Sequence, residues 1–145
     1  MNNLLFLTKT DTTIGFVSQD ASKIDQAKER LPNKHYIRAV NSLRTLQSFT
    51  RVPSWHKNRV RRSKRTTFIM PNGHSFRVVK DCEHNLLLDR LKWVYSSSAN
   101  LSGFEYDKGY VQRVSEVIIS SKASSDKGEA SSIYRLGQMT IQRIR

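Results

Sequence analysis

Short apolar runs, separated by turns rich in Thr, Ser, Asn and Gly, dominate the pattern along the chain. Leu4-Leu5-Phe6-Leu7 reads as a buried strand ending in the polar turn Thr8-Lys9-Thr10-Asp11. Ile24, Ala27 and Leu31 recur at helical spacing, so a helix is expected from about Asp20 to Leu31. Asp20 or Ser22 caps its start and Pro32 stops it. Tyr36 to Val40 is a second strand, and Asn41-Ser42 caps a short helix that turns Leu43, Leu46 and Phe49 inward. A basic segment opening at Pro53-Ser54-Trp55 is helix or loop. Thr66 to Met70 and Ser75 to Val79 form a hairpin around Asn72-Gly73. A helix from His84 to Lys92 leads into the strand Trp93-Val94-Tyr95 and a serine-rich loop. Gly109 to Ser115 is a further helix, followed by the short strand Val117-Ile118-Ile119. Ser120 to Ser132 lacks large apolar residues and reads as a mobile surface loop. A final strand pair covers Ile133 to Leu136 and Gln138 to Ile144. Strands mixed with helices predict an α/β (α+β) domain with a twisted mixed sheet flanked by helices. At 145 residues, positions 1–145 are expected to form one domain.

Charge changes this picture. Lys and Arg number 25 against 12 Asp and Glu, for a formal charge of +13. From Arg30 to Lys80 there are 13 basic residues and no acid, while the remainder balances at 12 and 12. One span therefore carries the whole excess and points to an anionic partner. The longest apolar stretch, Leu4 to Leu7, is too short for a membrane span, and no secretory signal precedes it. With a single cysteine, Cys82, no internal disulfide framework can form, which fits a cytoplasmic protein.

The familiar catalytic signatures are missing: no P-loop, no Gly-x-Gly-x-x-Gly, no His or Cys set at zinc spacing. The four histidines read as structural or solvated, and Cys82, between Asp81 and Glu83, is poorly placed to be a thiolate. Three polar clusters remain. Lys9-Thr10-Asp11-Thr12-Thr13 follows a strand, where hydroxyls can orient a small polar ligand, or simply make a turn. Lys28-Glu29-Arg30, with Lys34, is either a solvated basic helix end or a cation set for phosphate or carboxylate. Ser96-Ser97-Ser98-Ala99-Asn100-Leu101-Ser102-Gly103 is a plain serine loop or one that admits a ligand closely.

Ser97 to Gly103, Ser-Ser-Ala-Asn-Leu-Ser-Gly, resembles the Thr-Ser-Ala-Asn-x-Ser-Gly signature of the YrdC-like threonylcarbamoyl-adenylate synthases. The resemblance runs in order across nearly the whole chain. Thr10-Asp11-Thr12 is similar to that family's Thr-Asp-Thr, followed by its Gly at Gly15. Lys28-x-Arg30 and Lys34 are similar to its Lys-x-Arg and following Lys. Thr67-Phe68, Arg77-Val78 and Ser131-Ser132-Ile133 match later strand elements. The resemblance implies an electropositive concave site that joins L-threonine, bicarbonate (or CO2) and ATP into L-threonylcarbamoyl-adenylate, releasing pyrophosphate. The product would pass to tRNA threonylcarbamoyl-transferase proteins for tRNA modification. It implies catalytic and ATP-binding roles for Lys28, Arg30, Ser98 and Asn100, ATP contacts from Lys34 and Ser132, and threonine contacts from Thr10, Thr12 and Arg77. No protein metal ligands are implied; Mg²⁺ would ride on the ATP phosphates.

Three features depart from the family pattern. Lys9 replaces a Pro, Ile14 replaces a Tyr, and Ser63-Lys64-Arg65 replaces a Pro-Gly-Pro turn. The last belongs to a cationic run from Lys57 to Arg65, in which Arg61, Arg62 and Lys64 are candidate contacts for tRNA or double-stranded RNA. A basic RNA-binding module, or a nucleotide-binding paralogue without catalysis, is the alternative reading.

Overall fold

The computed structural model describes residues 3–10, 13–30, 35–80, 82–100, 103–119 and 131–145, and their side chains except those of 82–85. Its strands are β1 (Phe6–Lys9), β2 (Ile14–Ser18), β3 (Ile37–Val40), β4 (Thr66–Ile69), β5 (Ser75–Val78), β6 (Trp93–Ser98), β7 (Val117–Ile118), β8 (Ser132–Leu136) and β9 (Ile141–Arg143). All nine join one sheet in the order β7-β1-β2-β6-β3-β5-β4-β8-β9. Pairing is mixed: β1 with β7, β3 with β5 and β4 with β8 are parallel, and the other neighbours are antiparallel. The helices are α1 (Ala21–Lys28), α2 (Leu43–Gln47), α3 (Lys57–Arg62), α4 (Cys82–Leu91) and α5 (Lys108–Val114), with a 3-10 turn at Ser54–His56 leading into α3.

Side-chain alternation gives the sheet two faces. On one, Leu7 and Phe16 meet Ile24 and Ala27 of α1 and Val111 of α5, while Val40, Phe68, Phe76 and Val78 meet Leu43 and Leu46 of α2 and Val60 of α3. On the other, Phe6, Val17, Ala39, Val79 and Val94 meet Leu87, Leu88 and Leu91 of α4. Four helices thus cover one face and α4 covers only part of the second. The uncovered part of that second face is where the polar residues collect.

Most expected elements form, including the β4–β5 hairpin, where Asn72 Oδ1 accepts from the His74 N–H and Gly73 N–H bonds Met70 O. Several expectations need correction. The first strand runs on through Thr8 and Lys9, which pair Gly15 and Ile14 instead of turning. Ile14–Ser18 is an unanticipated strand lying between β1 and β6. The serine run is not a loop throughout: Ser96, Ser97 and Ser98 complete β6, paired with Val17, Phe16 and Gly15. Ser132 opens β8, and Ser131 before it is buried, so the end of the expected surface loop belongs to the sheet. Helix α1 stops at Lys28, ahead of Leu31. Asp11, Thr12, Leu31 to Lys34 and 120–130 lie outside the described residues.

Candidate functional site

Helix α1 places the two cations of Lys28-Glu29-Arg30 differently. Glu29 takes the left-handed conformation (φ 50°), with its N–H on Gln26 O and Asp25 O, and Arg30 N–H returns to Asp25 O. This closing pattern ends the helix and turns the chain sharply. Lys28, one residue earlier, points inward and is 1% exposed. Its Nζ donates to Ser98 O (2.9 Å), Asn100 O (2.9 Å) and Asn100 Oδ1 (3.0 Å), using all three ammonium protons. Burial, with the Arg30 charge adding to it, lowers this ammonium to about 8. Asn100 Oδ1 also accepts from Ser98 Oγ (2.6 Å), and Asn100 Nδ2 donates to Phe104 O (2.6 Å). The three residues form one knot that fixes the chain as it leaves β6.

Arg30 emerges beyond the turn and lines a cleft of about 330 Å³ on the uncovered sheet face. Arg77 from β5 and Arg145 line it as well, together with Thr10, Tyr36, Ser131 and the serines of β6. No carboxylate appears among the described lining residues, so the cleft is cationic throughout. Its arginines are braced from behind. Arg77 Nε donates to Thr67 Oγ1 and Nη2 to Ser131 Oγ, both at 3.3 Å. Arg145 donates from Nε to Ser131 O (2.9 Å) and from Nη2 to Ser131 Oγ (3.3 Å). Thr67 and Ser131 hydroxyls also share a hydrogen bond of 2.9 Å. Two guanidinium groups held against one serine fix positive charge on the cleft wall, where an anion meets it with little reorganisation.

Near Arg30, Tyr36 OH donates to Asp25 Oδ1 (2.5 Å), and the Arg30 guanidinium lies 5.5 Å from the Tyr36 ring centre. Burial and that carboxylate push the Tyr36 phenol up to about 12. Asp25 is thereby occupied with Tyr36 at the cleft wall. Gly15 is needed for a steric reason: a Cβ there would stand 2.9 Å from Ser97 O and 3.1 Å from Thr10 Cγ2. Its absence lets β2 approach β6 and brings Thr10 to the cleft.

Of the residues nominated from sequence, Thr10, Arg30, Arg77 and Ser98 line the cleft, and Lys28 and Asn100 adjoin it through Ser98. Ser132 stands one residue beyond Ser131, which is the serine that lines it. Thr12 and Lys34 lie outside the described residues. Arg61, Arg62 and Lys64 are exposed at and beyond the end of α3, on the opposite sheet face. Sequence reasoning passed over Tyr36 and Arg145. Arg145 carries no local signal, because only the β8–β9 return brings it to Ser131. Among the described residues no helix is long and apolar enough to cross a membrane.

No family model matches the chain. It is 30% identical over 151 residues to a curated relative, the uncharacterized MG259 homolog of Mycoplasma pneumoniae, covering 92% of this chain. The chain spans about 30% of the length of that relative. Among solved structures, P. abyssi Sua5 complexed with L-threonine superposes with a TM-score of 0.77 at 19% identity, over 98% of this chain and 50% of that one. Full-length HypF in its phosphate- and nucleotide-bound form gives a TM-score of 0.77 at 12% identity, over 98% of this chain and 26% of that one. Both superpositions extend over nearly the whole of this chain, and its fold is that of a YrdC-like domain.

Proposed function

We propose that the domain is an L-threonylcarbamoyl-adenylate synthase, which makes threonylcarbamoyl-AMP and pyrophosphate from L-threonine, bicarbonate (or CO2) and ATP. The observation that carries this reading is the acid-free cleft with Arg30, Arg77 and Arg145 on its walls and the Lys28–Ser98–Asn100 knot at its side. The chemistry brings together three substrates that each carry negative charge. Fixed guanidinium groups offset their mutual repulsion and stabilise charge that builds on a transferring phosphoryl or carboxyl oxygen. Arg30 and Arg77 serve the phosphates and carboxylates. Ser98 and Thr10, both beside Gly15 on the cleft wall, offer hydroxyl oxygens to orient threonine and the reacting carboxyl group. Lys28 has its three protons on Ser98 and Asn100, so it holds the Ser98–Asn100 segment in place instead of reaching into the cleft. With no carboxylate among the described lining residues, Mg²⁺ would be held by ATP oxygens. The binding of threonine by Sua5 and of nucleotide by HypF, proteins of the same fold, supports this reading. In this reading the product passes to tRNA threonylcarbamoyl-transferase proteins.

The test is incubation of the protein with labelled threonine, bicarbonate, ATP and Mg²⁺, followed by chromatography for threonylcarbamoyl-adenylate and assay of pyrophosphate. Product that disappears in Arg30→Ala is the expected result. No product at any substrate level from a folded, ATP-binding protein would leave the nucleotide-binding paralogue as the better account.

A second reading is favoured by one specific observation. Arg59, Arg61, Arg62, Lys64 and Arg65 are exposed on and after α3, and Trp55 beside them is 67% exposed. That combination suits contacts with RNA phosphates and stacking on a base. It is compatible with synthase activity, since it lies away from the cleft.

A further inference from the structure

On the helix-covered face of the sheet, directly behind the cleft, Arg38 sits in a box of aromatic rings. Its guanidinium carbon is 4.3 Å from the ring centre of Phe49, 4.9 Å from those of Trp93 and Tyr95, and 5.7 Å from that of Phe76. Strand register explains the box: Arg38 pairs with Tyr95 on β6 and with Phe76 on β5, so all three point to the same face. Aromatic faces stabilise a cation from above and below, but they accept little from N–H groups in the guanidinium plane. In that plane Nη2 donates to the Tyr95 hydroxyl at 2.6 Å. Among the described residues its buried Nε has no hydrogen-bond partner, and no carboxylate pairs with the group.

A partly buried cation whose Nε is shielded from water, with no counterion among the described residues, gains from an anion that joins it. Space for a small anion exists. A separate cavity of about 120 Å³ is lined by Arg38, Tyr95 and Phe76, with His35, His74 and Ser75 at its mouth. The two imidazoles meet edge to face, with ring centres 5.8 Å apart, and both are exposed. No Asp or Glu is among its described lining residues. The dimensions admit one tetrahedral or carboxylate oxyanion and are too small for a nucleotide.

We propose that this groove is a second anion site, distinct from the cleft, in which Arg38 with His35 and His74 binds a single phosphate or carboxylate group. His35 and Tyr36 line both spaces, so the two sites share a wall at the start of β3 and occupancy of one bears on the other. The inference does not depend on the synthase reading, because its central cation, Arg38, lies on the sheet face opposite the cleft arginine Arg77.

Trp93 is a built-in reporter, 4.9 Å from the Arg38 guanidinium, and the chain has two tryptophans. In a Trp55→Phe background its emission is followed during titration with inorganic phosphate, and separately with acetate, at constant ionic strength. A saturable change is expected, with the tighter of the two anions identifying the headgroup the site takes. His74→Ala, a substitution at an exposed position outside the cleft, should weaken that binding about threefold or more. Arg38→Met should abolish it. Should Arg38→Met not fold, His74→Ala decides the matter. A featureless linear response to both anions, or an affinity unchanged by His74→Ala, overturns the proposal and leaves the aromatic box as a purely structural device.

Discussion

Replacing Lys28 with Met keeps the stem that fills the interior and removes only the charge and its three hydrogen bonds. Two backbone carbonyls, Ser98 O and Asn100 O, then lose a charged donor, while Ser98 O retains the Asn100 N–H and Asn100 Oδ1 retains the Ser98 hydroxyl. Loss of a charged donor in a buried setting costs about 1–3 kcal/mol. Relief from holding a desolvated ammonium offsets part of this, so the net loss should be about 1–2 kcal/mol. In a domain of this size that lowers Tm by about 3–8 °C. The pH dependence separates this account from a generic packing defect. The folded ammonium titrates at about 8 against 10.5 in the unfolded chain. Between those values the folded state binds fewer protons than the unfolded state, so an increment of stability from deprotonation, added to the packing and hydrogen bonds, builds as pH rises and is absent below about 8. The Tm gap between wild type and Lys28→Met should therefore widen from pH about 7.5 to about 9.5. Tyr36, raised to about 12, does not interfere in that window. Thermal melts across the range, with ATP binding measured alongside, provide the assay. A gap that stays constant or narrows, or a variant that melts within about 1 °C of wild type, would refute the assignment of Lys28 as a buried, charged tie.

The other predictions follow from the cleft and its surroundings. Arg145→Ala should leave the fold intact and weaken ATP affinity by about 10–100-fold, measured by calorimetry, since it removes one braced guanidinium; unchanged affinity would remove Arg145 from the site. Gly15→Ala forces a Cβ to 2.9 Å from Ser97 O and should cost about 1–3 kcal/mol by chemical denaturation. Tyr36→Phe leaves the buried Asp25 without its phenol donor, and a loss of about 1–2 kcal/mol at neutral pH is expected. Because the folded phenol titrates above the unfolded one, wild type should also lose stability between pH about 10 and about 12 in a way the Phe variant does not. Changing Arg61, Arg62 and Lys64 together to Gln should reduce the salt dependence of RNA affinity by about 2–3 in log–log slope and leave ATP binding unaltered. The reverse ranking would place α3 in the nucleotide site.

Local chemistry in the sequence was enough for the hairpin at Asn72-Gly73, for α2 with its Ser42 cap, and for the leucine face of α4. Each depends on interactions within a few residues, and the pattern carries them. The strand Ile14–Ser18 was harder to read, because a Gly and a Ser interrupt the alternation. Its Gly is there to admit the neighbouring strand, a requirement visible only once β6 is in place. The serines of β6 looked like a loop for a related reason: Ser96 and Ser98 occupy strand positions that face the open part of the sheet, so small polar residues stand where apolar ones would mark a strand.

For the candidate site, the Lys-x-Arg spacing was legible, but its meaning was not. Only the left-handed turn at Glu29 shows that one cation goes inward to Ser98 and Asn100 and the other outward to the cleft. The acid-free span of sequence settled that a strongly cationic surface must exist. Tertiary structure divided it into three parts: the arginines of the cleft, the solvated helix α3, and Arg38 enclosed by rings on the far face. Sequence fixes how much charge a segment holds. Strand register and sheet face decide where each charge points, and therefore which anion it can meet.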